Sequence, residues 1–126
     1  MNFPSDLRYT AEHEWVALNG NIATVGITDF AQGELGDIVF IELDCHGKSL
    51  KSQEVFGTVE AVKTVSDLYM PLSGEIIEVN PLLQTQPELV NRDAYGDGWM
   101  IRIQISNPDQ WEQLMDSSTY QAHTGH

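Results

Sequence analysis

A chain of 126 residues with 41% apolar side chains is long enough to bury one core and too apolar to stay disordered. Its formal charge of −13, from 19 acids against six Lys and Arg, repels phosphate backbones and anionic membranes and so argues against a nucleic-acid or lipid-surface binder. Cys45 is the only cysteine, so no internal disulfide can form, and no apolar run is long enough to span a bilayer.

A reducing compartment, most simply a bacterial cytoplasm, fits this cysteine usage. The opening MNFPSDLRYTAEHEW has neither a basic region nor an apolar stretch after it, which reads against a secretory signal. His13, His46, His123 and His126 show no i,i+4 pairing and Cys45 no CxxC partner, so no metal site is expected.

In chain order, EWVAL and NIATVGI flank Asn19-Gly20, a dipeptide suited to a tight hairpin turn. Thr28 is placed to cap a short helical turn in TDFAQGELG, with Gly33 and Gly36 breaking it. DIVFIEL is apolar on both faces and predicts a buried strand. VFGTVEAV and TVSDLYM predict two strands around Lys63, and GEIIEVN a third, closed by Asn80 and Pro81. PLLQTQPELVNRDAYGDG reads as an ordered loop with one helical turn at PELVN. WMIRIQI alternates, with Trp99, Ile101, Ile103 and Ile105 on one side. Asn107-Pro108 starts a helix whose buried stripe is Trp111, Leu114 and Met115, and TYQAHTGH is expected to fray. The sum is one domain over residues 1–126, a small β-sandwich or flattened barrel with a C-terminal helix.

Lys63 falls where the hairpin of VFGTVEAV and TVSDLYM must turn. Val55, Gly57, Val59 and Ala61 are expected on one face of the first arm, and Phe56, Thr58, Glu60 and Val62 on the other. A lysine at such a tip projects into water on a flexible stem, where another protein can reach its amine. Turn lysines are common, however, and the turn alone assigns no function. Gly57 before it and Pro71, Ser73 and Gly74 after it frame the hairpin.

That frame, GTVEAVKTVSDLYMPLSGEIIEVN, resembles the lipoyl-lysine segment of the glycine cleavage system H-protein family. Four further stretches are similar to the same family: Tyr9-Thr10-x-Glu12-His13-Glu14-Trp15, Val25 to Gln32, Leu35 to Leu43, and Asn91 to Met100. Together they cover nearly the whole chain in order.

The resemblance implies a mainly β, lipoyl-domain-like fold (a barrel-sandwich hybrid), with two packed sheets, short helical segments and a C-terminal helix. It implies a carrier and not an enzyme, holding lipoate in amide linkage on Lys63, a modification that removes the lysine charge. It implies a shuttle of the aminomethyl group of glycine from a pyridoxal-phosphate glycine decarboxylase (P protein) to an aminomethyltransferase (T protein). Dihydrolipoyl dehydrogenase (L protein) then reoxidises the arm. A lipoate-attaching enzyme is the fourth implied partner, and a monomer the expected state. The carried amine is cationic, and a carboxylate in a partly enclosed groove would hold it. Glu14 is the first candidate for that groove, and Asp67, four residues after Lys63, the second.

Two positions depart from the family pattern by adding negative charge: Glu34, where some members carry histidine, and Glu12, where some carry serine. His13 reads as a packed, hydrogen-bonded histidine, and Trp15 and Trp99 as core. The nearest alternative is a lipoyl relay protein of the same fold, which passes lipoate to other enzymes. A 2-oxoacid dehydrogenase lipoyl domain would carry D-K-A, and a biotin carrier M-K-M, where this chain has Val62-Lys63-Thr64. An unmodified interaction module would need no change at Lys63 at all.

Overall fold

The structure is a computed structural model that describes residues 1–126. Alternating apolar residues form nine strands in two antiparallel sheets. The six-stranded sheet runs in the order β1 (Arg8–Tyr9), β2 (Glu14–Asn19), β3 (Ile22–Ile27), β9 (Ile101–Ile105), β8 (Gly74–Val79) and β5 (Ser49–Leu50). The three-stranded sheet runs β4 (Ile38–Glu42), β6 (Val55–Ala61), β7 (Val65–Tyr69). Val16, Val25, Ile76, Ile101 and Ile103 of the first sheet meet Ile38, Ile41, Val59 and Leu68 of the second in one core. Each such side chain, fully buried, favours the fold by about 1.5–3 kcal/mol over exposure. This is the two-sheet fold with short helices that the sequence predicts.

The helical pieces are short. They are α1 (Asp29–Leu35), a 3-10 turn at Pro81–Gln84, α2 (Leu89–Arg92), α3 (Asp109–Glu112) and α4 (Ser117–Thr124). None is long and apolar enough to cross a membrane. Thr28 caps α1 as expected, its Oγ1 accepting from the Ala31 amide at 3.1 Å.

Several local expectations are corrected. The first hairpin pairs Asn19 with Ile22, so its two loop residues are Gly20, at φ +64°, and Asn21. Gly33 lies inside α1, and Gly36 alone ends it, at φ +78°. In DIVFIEL only Ile38 and Ile41 are buried, while Val39 and Phe40 are half exposed, because the three-stranded sheet has one face open to water. A register shift between Val55 and Gly57 turns Phe56 into the core beside Val59 and exposes Val55, reversing the expected alternation at that end of β6. Trp99 precedes β9 and is only partly buried, with the Arg102 guanidinium 3.9 Å from its ring centroid.

The C-terminal segment is placed as a helix, α4, capped by Asp116, whose side chain accepts from the Thr119 amide. Tyr120 of α4 is fully buried and stacks on Tyr9, ring centroids 4.6 Å apart at 7°. With Leu7 and Trp15 they make a second small core on the outer side of β1 and β2. One tyrosine in an otherwise polar stretch leaves no helical stripe for sequence reading to find.

Candidate functional site

The hairpin of β6 and β7 closes through Ala61 to Thr64, where the Ala61 amide donates to the Thr64 carbonyl at 2.8 Å. Lys63 is the third residue of this turn and is exposed. The Val62 amide donates to the Asp37 carbonyl at 3.1 Å, so the tip is seated on the segment leaving α1. That seat is itself braced. Asn91 Oδ1 accepts from the Ile38 amide at 3.0 Å, and Asn91 Nδ2 donates to the Gly36 carbonyl at 2.9 Å and to Gln32 Oε1 at 2.9 Å. The Lys63 side chain folds back over Gly36: a Cβ on that glycine would lie 3.6 Å from Lys63 Cε and 3.9 Å from Nζ. Lys63 makes no ion pair; both salt bridges of the chain are made by arginines.

Beside the tip runs a groove of about 180 Å³. Ile27, Phe30, Leu35, Val59 and Leu68 give it apolar walls. Its acids are Glu12, Glu14, Glu34 and Asp67. The groove and the lysine share two elements. Glu34 and Leu35 line it from the end of α1, next to the Gly36 that lies under Lys63, and Val59 and Ser66 line it from the hairpin. The two groove candidates predicted from sequence, Glu14 and Asp67, thus come together, and the two departures, Glu12 and Glu34, join them.

The four acids are not equivalent. Glu12, Glu34 and Asp67 are exposed, whereas Glu14 is 1% exposed. Burial pushes the Glu14 carboxyl up to about 7, even though hydrogen bonds from Thr10 and from the Tyr69 amide act to lower it. Thr10 Oγ1 donates to Glu14 Oε1 at 2.6 Å, and the Tyr69 amide lies 3.4 Å from Oε2. Antiparallel pairing of Glu14 with Ile27 aims it along the inner side of β2. Glu14 is therefore a carboxyl poised near neutrality at the floor of an apolar groove, where an incoming cation would favour its ionised form.

His13, at φ +74°, also lines the groove, and its Nδ1 lies 2.8 Å from Tyr120 Oη. It is the packed, hydrogen-bonded residue expected. Burial, and then the neighbouring His123, hold its pKa below the usual histidine value. Tyr120 Oη is also 2.7 Å from Thr28 Oγ1, so α4 ties together the turn before β2 and the cap of α1. Sequence reading missed Thr10, Asn91 and Tyr120 as parts of this site. Thr10 stands four residues before Glu14, but only the tight turn between β1 and β2 reveals that its hydroxyl reaches the carboxyl.

Residues 7–126 match the family model described as glycine cleavage H-protein. The chain is similar to the glycine cleavage system H protein of Salinibacter ruber, at 57% identity over 95% of this chain and 97% of the relative. To that of Symbiobacterium thermophilum it is 54% identical over 98% and 96% of the two chains. A crystal structure of a glycine cleavage system H protein from Mycobacterium marinum superposes with a TM-score of 0.86 at 37% identity, over 98% of this chain and 99% of that one. With Lys63 on its hairpin, the groove beside it and a family match over nearly its full length, the chain belongs to the glycine cleavage H-protein family.

Proposed function

We propose that this protein is the lipoyl carrier of a glycine cleavage system, with lipoate in amide linkage on Lys63. The observation that carries the reading is an exposed lysine on a tight hairpin tip, whose two arms and whose neighbour α1 also line an apolar groove that holds a buried carboxyl. The residues present suit the group: the tip leaves Nζ free of any ion pair, and the apolar walls match a hydrocarbon arm. When bound, lipoate supplies a dithiolane that accepts the aminomethyl group of glycine and is reoxidised after releasing it.

The protein's own part is position and shelter. The hairpin turn and its seat on Asp37 hold the root of the arm in one place. Tethering raises the effective concentration of the arm's end at each partner's active site. Ile27, Phe30, Leu35 and Leu68 give the groove apolar walls against which an arm can pack. A cationic amine entering it meets the Glu14 carboxyl through a charge-assisted hydrogen bond and releases the proton Glu14 holds near neutrality. Asp67 adds negative charge at the rim. The chain acts as a carrier and not a catalyst. Its partners are the other glycine cleavage components: the glycine decarboxylase, the aminomethyltransferase and dihydrolipoyl dehydrogenase, with a lipoate-attaching enzyme upstream.

Reconstitution tests the reading. Lipoate, ATP and a lipoate-attaching enzyme should add one lipoyl mass on Lys63. The product, with glycine decarboxylase and labelled bicarbonate, should drive exchange of label into glycine. Lys63→Arg should fold as the wild type does and do neither. Exchange by Lys63→Arg at the wild-type rate, with free lipoate absent, would refute the assignment.

A further inference from the structure

We propose that His13 is a second anchor for the loaded arm: a hydroxyl relay from Thr28 through Tyr120 fixes its imidazole as the Nε2–H tautomer, and that N–H donates to the sulfur bearing the aminomethyl group. This rests on the lipoyl-lysine reading above.

The hydrogen positions follow from the available partners. Thr28 is fully buried, and its Oγ1 meets two polar atoms, the Ala31 amide at 3.1 Å and Tyr120 Oη at 2.7 Å. The amide is itself a donor, so the Thr28 hydroxyl hydrogen goes to Tyr120 Oη. Tyr120 is also fully buried. Its other partner is His13 Nδ1 at 2.8 Å, which receives the phenolic hydrogen. Nδ1 therefore accepts and carries no proton, and the ring's hydrogen sits on Nε2. A second proton, on Nδ1, would reverse the Tyr120 hydroxyl and strand the Thr28 hydrogen inside the protein. Burial, and then His123 of α4, also oppose a cation on His13, against Glu12 of the same turn and Glu34 of α1, which favour one.

Nε2 bonds to no protein atom, although His13 lines the groove together with Glu14. Neighbouring residues of an extended strand face opposite ways. The left-handed φ of +74° at His13, just before β2 begins at Glu14, breaks that alternation and lets both side chains reach one groove. Such a backbone disfavours a bulky side chain, and glycine would adopt it freely. An imidazole stands there instead, against the groove wall at Phe30, ring centroids 5.0 Å apart.

The loaded arm ends in two unlike groups on one carbon, a cationic amine and a sulfur. Glu14 meets the amine in the reading above. The donor beside it suits sulfur, a weak acceptor. The contact bears on how long the cargo survives. Ammonia is lost when the C–N bond breaks and its electron pair leaves with nitrogen. A sulfur lone pair fills in at carbon, water then adds there, and a proton is released. A hydrogen bond to sulfur draws on the lone pair that drives this loss. A second proton on His13 would add a positive charge facing the amine, and the relay opposes it.

The test begins with the apo-protein carrying isotope-labelled histidine. Proton–nitrogen correlation spectra at pH 7 should show His13 Nδ1 bare and Nε2 protonated. In Tyr120→Phe the ring should take up its second proton at higher pH than in the wild type. A proton on Nδ1 at pH 7, or an unmoved titration in Tyr120→Phe, overturns the relay and the proposal with it. Next, lipoylated protein is loaded by glycine decarboxylase and glycine. Loading should shift the Nε2–H signal of the wild type. His13→Asn suits the left-handed backbone and can keep an acceptor for Tyr120, but lacks the Nε2–H. Its Tm should stay close to that of the wild type, while ammonia release from the loaded protein quickens about fivefold. An unmoved Nε2–H signal, or release at the wild-type rate, overturns the sulfur contact; the first of these needs no variant to fold. A wild type that gains no lipoyl mass on Lys63 overturns the lipoyl-lysine reading, and the sulfur contact with it, whatever the tautomer.

Discussion

Thr10 holds Glu14 twice: its hydroxyl donates to Glu14 Oε1 at 2.6 Å and accepts from the Glu14 amide at 3.0 Å. The turn between β1 and β2 makes this possible, with the Thr10 amide donating to the Glu14 carbonyl and the His13 amide to the Thr10 carbonyl. A carboxyl that is 1% exposed is thereby oriented before any ligand arrives.

Removing the Thr10 hydroxyl should therefore cost stability. Thr10→Val keeps the shape and strands both a buried carboxyl oxygen and the Glu14 amide. About 2 kcal/mol should be lost, read as a lower urea midpoint at pH 7. A midpoint equal to the wild type's would mean that Glu14 finds its partners elsewhere.

Glu14 should also make stability depend on pH. Its pKa rises on folding from 4.5 to about 7, so between those values the folded chain holds a proton that the unfolded chain has released. The contribution is full below the unfolded pKa and is lost as pH rises through the folded one. At 1.36 kcal/mol per unit this is about 3 kcal/mol. Glu14→Gln does not titrate there, so its Tm relative to wild type should climb between pH 5 and pH 8. A flat difference would place the wild-type titration outside that window.

The same residue should matter to the loaded carrier. Glu14→Ala removes the carboxylate proposed above to face a cationic amine in the groove, and spontaneous loss of ammonia from the aminomethyl-loaded protein should speed up about tenfold or more. Ammonia release followed over time decides this, and an unchanged rate removes Glu14 from the shielding role.

Gly57 should tolerate no side chain. A Cβ there would overlap the Glu42 carbonyl oxygen of the neighbouring strand and come within 2.8 Å of Leu43 Cδ2. Gly57→Ala should cost about 3 kcal/mol, measured by denaturant unfolding. A near-neutral variant would require that β4 and β6 can separate locally.

Tyr120→Phe should loosen α4 from the site. It deletes the hydroxyl shared by His13 Nδ1 and Thr28 Oγ1, at a cost of about 1–2 kcal/mol, while keeping the ring stacked on Tyr9. The drop in Tm should be smaller than that of Tyr120→Ala, which also empties the second core. Equal drops would show that the hydroxyl, not the ring, anchors α4.

What the amino-acid order determined by itself is local or carried by motif. Alternation placed the arms of the Lys63 hairpin, and Thr28 marked the start of α1, because both depend on residues a few positions apart. The family resemblance named Glu14 as a groove candidate, and nearness in sequence to Lys63 named Asp67. What only tertiary structure decided depends on residues far apart in the chain. The shift at Phe56 answers to β7, the half-exposed Val39 and Phe40 answer to a sheet covered on one face only, and α4 exists because Tyr120 finds Tyr9 and Thr28. The difference in burial among four acids is tertiary as well. Glu12, Glu14, Glu34 and Asp67 are alike in sequence, yet only Glu14 is buried, and that burial is the main cause that pushes its carboxyl up to about 7. Desolvation depends on what packs around a group in space, and no local pattern of residues encodes it.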